Sequence, residues 1–268
     1  MTLFGVDFSS APRARKPIVV AQGQRLGAVL KLQGLTLLPS LVAFEGWLQT
    51  PGPWLGGFDF PFGLPRTFVD SLALGTSALQ VSQALHQRCA ARMDFRALVD
   101  AWGKTRPAGQ RLPHRVTDKG MHGVSSTSPL QTRYVPVGFM YFEGLSRLLQ
   151  AGVDLPRLHA GDRQRVALEA YPGLLAHELI GRRSYKNDTS SERLLARKEM
   201  LEALEQGRTR LDLRLKLTPS QAGTLVADSS GDALDAVLCL LQAAWASLRP
   251  DWGLPEKVDA VEGWILSA

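Results

Sequence analysis

Two cysteines in 268 residues, Cys89 and Cys239, are too few for a disulfide framework, so a reducing compartment is expected. No apolar run approaches the roughly 20 residues that a membrane-spanning helix needs. The N-terminus has no basic segment followed by an apolar stretch and a small-residue cleavage site, and a cytoplasmic, membrane-free protein is expected. There is no Gly-rich phosphate loop of the Gly-x-x-x-x-Gly-Lys-Ser/Thr kind, and no Cys/His pattern suited to zinc. Internal repeats, low-complexity tracts and long blocks of one charge are also missing, so the organisation has to come from the order of secondary-structure elements.

What is present is a globular composition, 45% apolar, in a chain long enough to bury a substantial core. Lys and Arg number 31 against 25 Asp and Glu, a formal charge of +6 that permits a polyanionic partner without requiring one. The chain opens on Leu3-Phe4-Gly5-Val6-Asp7-Phe8-Ser9-Ser10, an apolar run that delivers one carboxylate into a turn of small residues. Such a strand end lies at the rim of a sheet, where α/β proteins keep their chemistry. Taken alone, Asp7 reads more simply as a strand-end residue turning on Ser9 or Ser10.

Residues 17–21 and 27–32 read as second and third strands of an antiparallel meander, and Ser40 starts a helix that carries Leu41, Phe44 and Leu48 at helical spacing. The run Trp54-Leu55-Gly56-Gly57-Phe58-Asp59-Phe60-Pro61 then repeats the opening design. A strand reached through a helical crossover is normally parallel to its neighbour, which places Asp59 at the same sheet edge as Asp7. Residues 67–160 change character, with helices expected over 78–87, 95–102 and 139–149, and form a mainly helical insertion or cap within a single domain spanning 1–268. Its polar loop, residues 104–136, carries Arg106, Arg111, His114, Arg115, Lys119, His122 and Arg133, a composition that suits phosphates or simply a solvated loop. His114, Asp118 and His122 would share a helix face, but Pro113 and Gly120 argue against a helix there.

A third apolar run, Val166-Ala167-Leu168-Glu169, ends in an acid before Tyr171-Pro172. A short helix over 174–180, a basic loop with Tyr185 and Lys186, and a helix over 191–206 follow. The last core helix begins near Asp232, capped by Ser229 or Ser230, and residues 258–266 read as a final strand or edge segment. Capping and the helix dipole explain Asp232. They do not explain Asp235, which sits one turn further along a helix that is otherwise nearly all apolar, where a carboxylate needs a cation or a metal.

Asp7, Asp59, Glu169, Asp232 and Asp235 are thereby expected near one pole. Clustered carboxylates repel unless cations bind them, and all-oxygen ligands favour Mg²⁺ or Mn²⁺. Two such ions about 3.5 to 4 Å apart would clamp the attacking and leaving oxygens of a phosphodiester displacement. Ser9, Ser10, Lys186, Arg115 and Lys119 are the candidate substrate contacts.

The order strand-strand-strand-helix-strand, with Gly5-Val6-Asp7, Phe58-Asp59-Phe60-Pro61 and Asp232-Ala233-Leu234-Asp235-Ala236, resembles the ribonuclease H-like fold. With Glu169-Ala170-Tyr171-Pro172 and Glu262-Gly263-Trp264-Ile265 added, the chain is similar to an uncharacterised family of predicted ribonuclease H-like nucleases, domain-of-unknown-function family 429. The Asp232–Asp235 helix is also similar to the closing helix of Holliday-junction resolvases. The resemblance implies an α/β fold with a mixed sheet, antiparallel meander plus parallel strands, flanked by helices. It further implies a metal-dependent nuclease acting on DNA or RNA, with Asp7 bridging two ions and Asp59, Asp232 and Asp235 completing their shells. Glu169 departs from the usual set and stands as a substitute ligand, a general base or a partner of Lys186.

Two other readings compete. A phosphotransferase of the actin and sugar-kinase type shares the fold, but it has two copies of it and a Gly-rich phosphate loop that is missing here. A non-catalytic binding module would keep the acidic pole for a structural cation or a partner.

Overall fold

A computed structural model describes residues 1–119 and 124–267. The strands are β1 (Thr2–Asp7), β2 (Ile18–Leu26), β3 (Val29–Leu38), β4 (Trp54–Phe58), β5 (Val153–Asp154), β6 (Asp162–Glu169) and β7 (Arg214–Lys216). The helices are α1 (Leu41–Leu48), α2 (Arg66–Ser71), α3 (Ala78–Arg88), α4 (Arg92–Lys104), α5 (Val137–Gln150), α6 (Pro172–Ile180), α7 (Ser191–Glu205), α8 (Pro219–Ala227) and α9 (Asp232–Ala246). Two compact units result, one formed by 1–59, 170–253 and Ser267, the other by 60–169 and 254–266.

The first unit carries strands in the order β4-β1-β2-β3-β7. β1, β2 and β3 form the antiparallel meander, β4 lies parallel to β1, and β7 lies parallel to β3. The architecture is thus a mixed α/β sheet flanked by helices. Alternation along β1 sets what covers each face. Phe4 meets Trp47 of α1 edge-on at 5.1 Å, within an aromatic cluster that includes Phe44, Trp54 and Phe58. Gly5 points to the opposite face, where α9 lies directly on the sheet.

That approach leaves no room for a side chain. A Cβ on Gly5 would stand 2.0 Å from the Ala236 carbonyl oxygen and 2.1 Å from the Leu240 nitrogen, and one on its register partner Gly57 would stand 2.6 Å from the Cys239 carbonyl oxygen. Because both obstacles are helix backbone, they cannot rotate away, and α9 would have to lift from the strands whose carboxylates it meets. Gly5→Ala is therefore expected to destabilise the protein by about 3 kcal/mol or more. Urea unfolding checks this, and an unchanged midpoint would refute the close-packing argument.

The second unit holds α2 to α5 and the parallel pair β5–β6. Its polar loop folds around a buried guanidinium. Arg115, 1% exposed, donates from Nε and Nη2 to Asp118, from Nη1 and Nη2 to Glu169, and from Nη1 to the Glu262 carbonyl, at 2.5–3.1 Å. The Glu262 carboxylate accepts from the Arg66 and Val116 backbone N–H groups. Among its described residues, Arg115 and Asp118 are thus tied into an internal ion network.

Several expectations require correction. Residues 258–266 form turns, with one bridge from Ile265 to Glu169 and no strand. Asp259 accepts from the Val261 and Glu262 N–H groups and Gly263 has φ 71, a geometry that extended pairing excludes. Ser230 Oγ accepts from the Asp232 N–H that opens α9, at 3.2 Å, but neither Ser229 nor Ser230 is the N-cap residue itself. Gly231, at φ 81, occupies the N-cap, and the Asp228 carboxylate accepts from the Ala233 N–H at 2.9 Å. β2 and β3 extend beyond the expected limits because their pairing continues through a bulge at Gln22/Gly23. α2, α8, β5 and β7 are short elements that the apolar periodicity did not indicate.

Candidate metal centre

Three carboxylates converge in the first unit. β1 ends at Asp7, and the parallel pairing of β1 with β4 continues one residue further, the Asp59 N–H donating to the Val6 carbonyl at 2.9 Å. The two acids therefore leave adjacent strand ends on one rim. α9 begins over the same rim, and its dipole favours negative charge in the first turn. Asp235 points back toward the strands, and one oxygen each from Asp7, Asp59 and Asp235 lie within 4.8 Å of one another. Asp235 is 1% exposed, while Asp7 and Asp59 are partly open.

The electrostatics of this arrangement are unfavourable without a cation. Burial pushes the Asp7 carboxyl well above its ordinary range, and the charges of Asp235, Asp232 and Asp59 push it further, with Lys186 opposing them. Among the described residues no hydrogen bond reaches the Asp7 side chain. Asp235 is differently placed, since Tyr185 Oη donates to one of its oxygens and Lys186 Nζ to the other. Burial alone would lower the Lys186 pKa, but Asp235 and the neighbouring acids outweigh it and hold the ammonium charged. Burial and Asp235 raise the Tyr185 phenol well above its usual value, so it remains a donor. The nearby Cys239 thiol is fully buried and raised by burial, which leaves it protonated and inert.

The lysine is held firmly. Arg197, 2% exposed, donates to the Tyr185 carbonyl at 2.7 Å and to the Val226 carbonyl at 2.8 Å, and Arg193 donates to the Lys186 carbonyl. On the other side a Cβ at Gly231 would stand 2.5 Å from Lys186 Cβ, so only glycine fits against this loop.

The other expected site residues are placed as follows. Asp232 opens α9 but is not in the converging trio; burial raises its pKa and Lys16 lowers it. Ser9 Oγ accepts weakly from the Ala11 N–H at 3.4 Å, and Ser10 is buried at the same turn. Glu169 belongs to the second unit, where both oxygens accept from Arg115 and one also from the Phe62 N–H. Arg115 itself has every guanidinium nitrogen engaged within the protein and faces no solvent. Lys119 is exposed. Of the His114, Asp118 and His122 set, Asp118 is ion-paired with Arg115 at 2.8 Å in a 3₁₀ turn, and His122 lies outside the described residues. Tyr185, Arg193 and Arg197 were not indicated as site residues; their one sequence signal was a buried Asp235 in need of donors.

No helix among the described residues is long and apolar enough to cross a membrane. Compared with known families, the chain belongs to the one described as "Protein of unknown function (DUF429)", whose model matches residues 5–251 and so spans all three converging acids. Searches of curated proteins and of solved structures returned no match.

Proposed function

We propose that the protein is a divalent-metal-dependent nuclease of ribonuclease H-like type, acting in the cytoplasm on DNA or RNA phosphodiesters. The observation that carries this reading is the convergence of Asp7, Asp59 and Asp235 within 4.8 Å, from the ends of β1 and β4 and the first turn of α9. The donor set fits Mg²⁺ or Mn²⁺, since all ligands are hard carboxylate oxygens and the raised Asp7 pKa reports negative charge awaiting neutralisation. Bound there, the ion supplies Lewis-acid stabilisation of phosphoryl oxygens and lowers the pKa of its water.

The chain's own residues do the rest. Asp7 and Asp59, at the strand ends, and Asp235, in the first turn of α9, are the residues that would hold the ion. Tyr185 and Lys186 orient Asp235, and the partly exposed Lys186 ammonium faces an incoming phosphate. Ser9, at the turn after β1, is a second candidate contact to the backbone of a bound strand.

One observation favours the binding-module alternative: a lysine already occupies part of the acidic pole. Incubation with Mn²⁺ and a panel of single-stranded, duplex and branched DNA and RNA, beside Asp7→Asn, separates the two. Cleavage by the wild type and none by the variant supports the nuclease. Identical trace products from both would refute it.

A further inference from the structure

The reading above leaves open how many ions the centre takes, and Lys186 bears directly on that number. This inference rests on the divalent-ion reading of the Asp7 centre. The geometry points to a centre that takes a single divalent ion, with the Lys186 ammonium standing in for a second one.

Three carboxylates and one ammonium leave two negative charges, the charge of one divalent ion. A second divalent ion would leave a partly buried centre with excess positive charge, which the low-dielectric surroundings of Asp235 disfavour. The lone pairs also divide unevenly. Both Asp235 oxygens already accept from cationic or phenolic donors, whereas the Asp7 side chain has no hydrogen bond among the described residues. An ion is therefore drawn to the Asp7 and Asp59 side of the trio, and the Asp235 side is held by lysine.

Lys186 is built for that position. Its backbone is fixed by Arg193, its neighbour's by Arg197, and its Cβ abuts Gly231. A surface lysine reaching a carboxylate by chance would have none of these supports, and exposed pairs of that kind contribute little. The side chain keeps 39% of its surface open, so the ammonium has hydrogen-bonding capacity toward solvent while bound to Asp235. In phosphodiester cleavage it would donate to a non-bridging or leaving-group oxygen, the charge that a second ion otherwise neutralises.

The test counts ions without any substrate. The full-length chain is titrated with MnCl₂ and free Mn²⁺ is read by electron paramagnetic resonance, for wild type, Lys186→Arg and Lys186→Met. Wild type and K186R are expected to bind one Mn²⁺ per chain. K186M, which frees the Asp235 side and lowers the positive excess of a two-ion centre by one charge, is expected to bind two. Two ions on the wild type, or one on K186M, would overturn the inference while leaving the metal reading intact. No ion on the wild type would remove the metal reading itself, and the inference with it. Lys186→Gln provides an independent neutral variant if K186M fails to fold, with two ions again expected and one again contradicting.

Discussion

Asp7→Asn is expected to abolish Mn²⁺-dependent cleavage, by at least about 10³-fold, while making the metal-free protein more stable than the wild type. The first effect follows from the several kcal/mol of charge stabilisation that leaves with a lost ion, each 1.36 kcal/mol being tenfold in rate. The second follows from the site itself. Asp7 is raised in pKa by burial and then by Asp235, Asp232 and Asp59, so its ionised form destabilises the folded chain. An amide of the same shape removes that repulsion. The sign of the pH dependence is fixed: the folded state binds the Asp7 proton more tightly than the unfolded chain does. Wild-type stability in EDTA therefore falls as pH rises from the ordinary aspartate range toward the elevated folded value. The variant lacks this slope, and its advantage in melting temperature grows over the same window. Excess Mn²⁺ reverses the ranking, because a ligand that binds only the folded state stabilises the wild type alone. Thermal melts at several pH values, with EDTA and with Mn²⁺, read all of this. A variant less stable than the wild type in EDTA would mean that Asp7 is an ordinary structural residue.

Arg115→Met is expected to cost about 3–5 kcal/mol, without any change to the carboxylates of the metal centre. The guanidinium is 1% exposed, as is Asp118, and Glu169 is 4% exposed, so removing the cation strands two carboxylates away from water. Burial works to raise the Asp118 pKa, but the Arg115 charge and hydrogen bonds prevail and hold it below the usual range. At Glu169 burial prevails over the same arginine and the net shift is upward. The two acids would respond in opposite ways to acid: Asp118 supports the fold above its ordinary pKa and loses that support as pH falls through its lowered folded value, whereas Glu169 gains from protonation. A double variant, Arg115→Met with Glu169→Gln, should recover part of the loss because one stranded charge is gone. Urea unfolding midpoints compare the three chains, and a midpoint for Arg115→Met equal to wild type would show that the network contributes nothing.

The parts of this site that were legible in the sequence share one property: their signal is local. Asp7 and Asp59 each end a short apolar run, and the crossover between the runs brings the strands side by side in parallel. Asp235 stood out because it interrupts the apolar surface of a helix, and it proved to be 1% exposed with two donors. What was not legible depends on partners far along the chain. Arg115 and Glu169 are 54 residues apart, and neither the polar loop nor the strand carries any mark of the other. Arg115 and Lys119 read alike as phosphate contacts, yet one is buried and the other exposed. Lys186 reads in the sequence as one residue of a basic loop and a candidate substrate contact, and only the arginines of α7 and the glycine before α9 fix it on Asp235. At the start of α9, Ser230 was legible and accepts from the Asp232 N–H, but Asp228 was not, because it reaches forward five positions to Ala233, a span that short capping patterns do not cover.

The central claim is that Asp7, Asp59 and Asp235 form a divalent-ion site, and diffraction at the manganese absorption edge from crystals grown in MnCl₂ tests it most directly. An anomalous peak in direct contact with carboxylate oxygens of Asp7 and Asp59, and missing in Asp7→Asn crystals, is the predicted result. Manganese peaks elsewhere on the protein with none at this centre would contradict it.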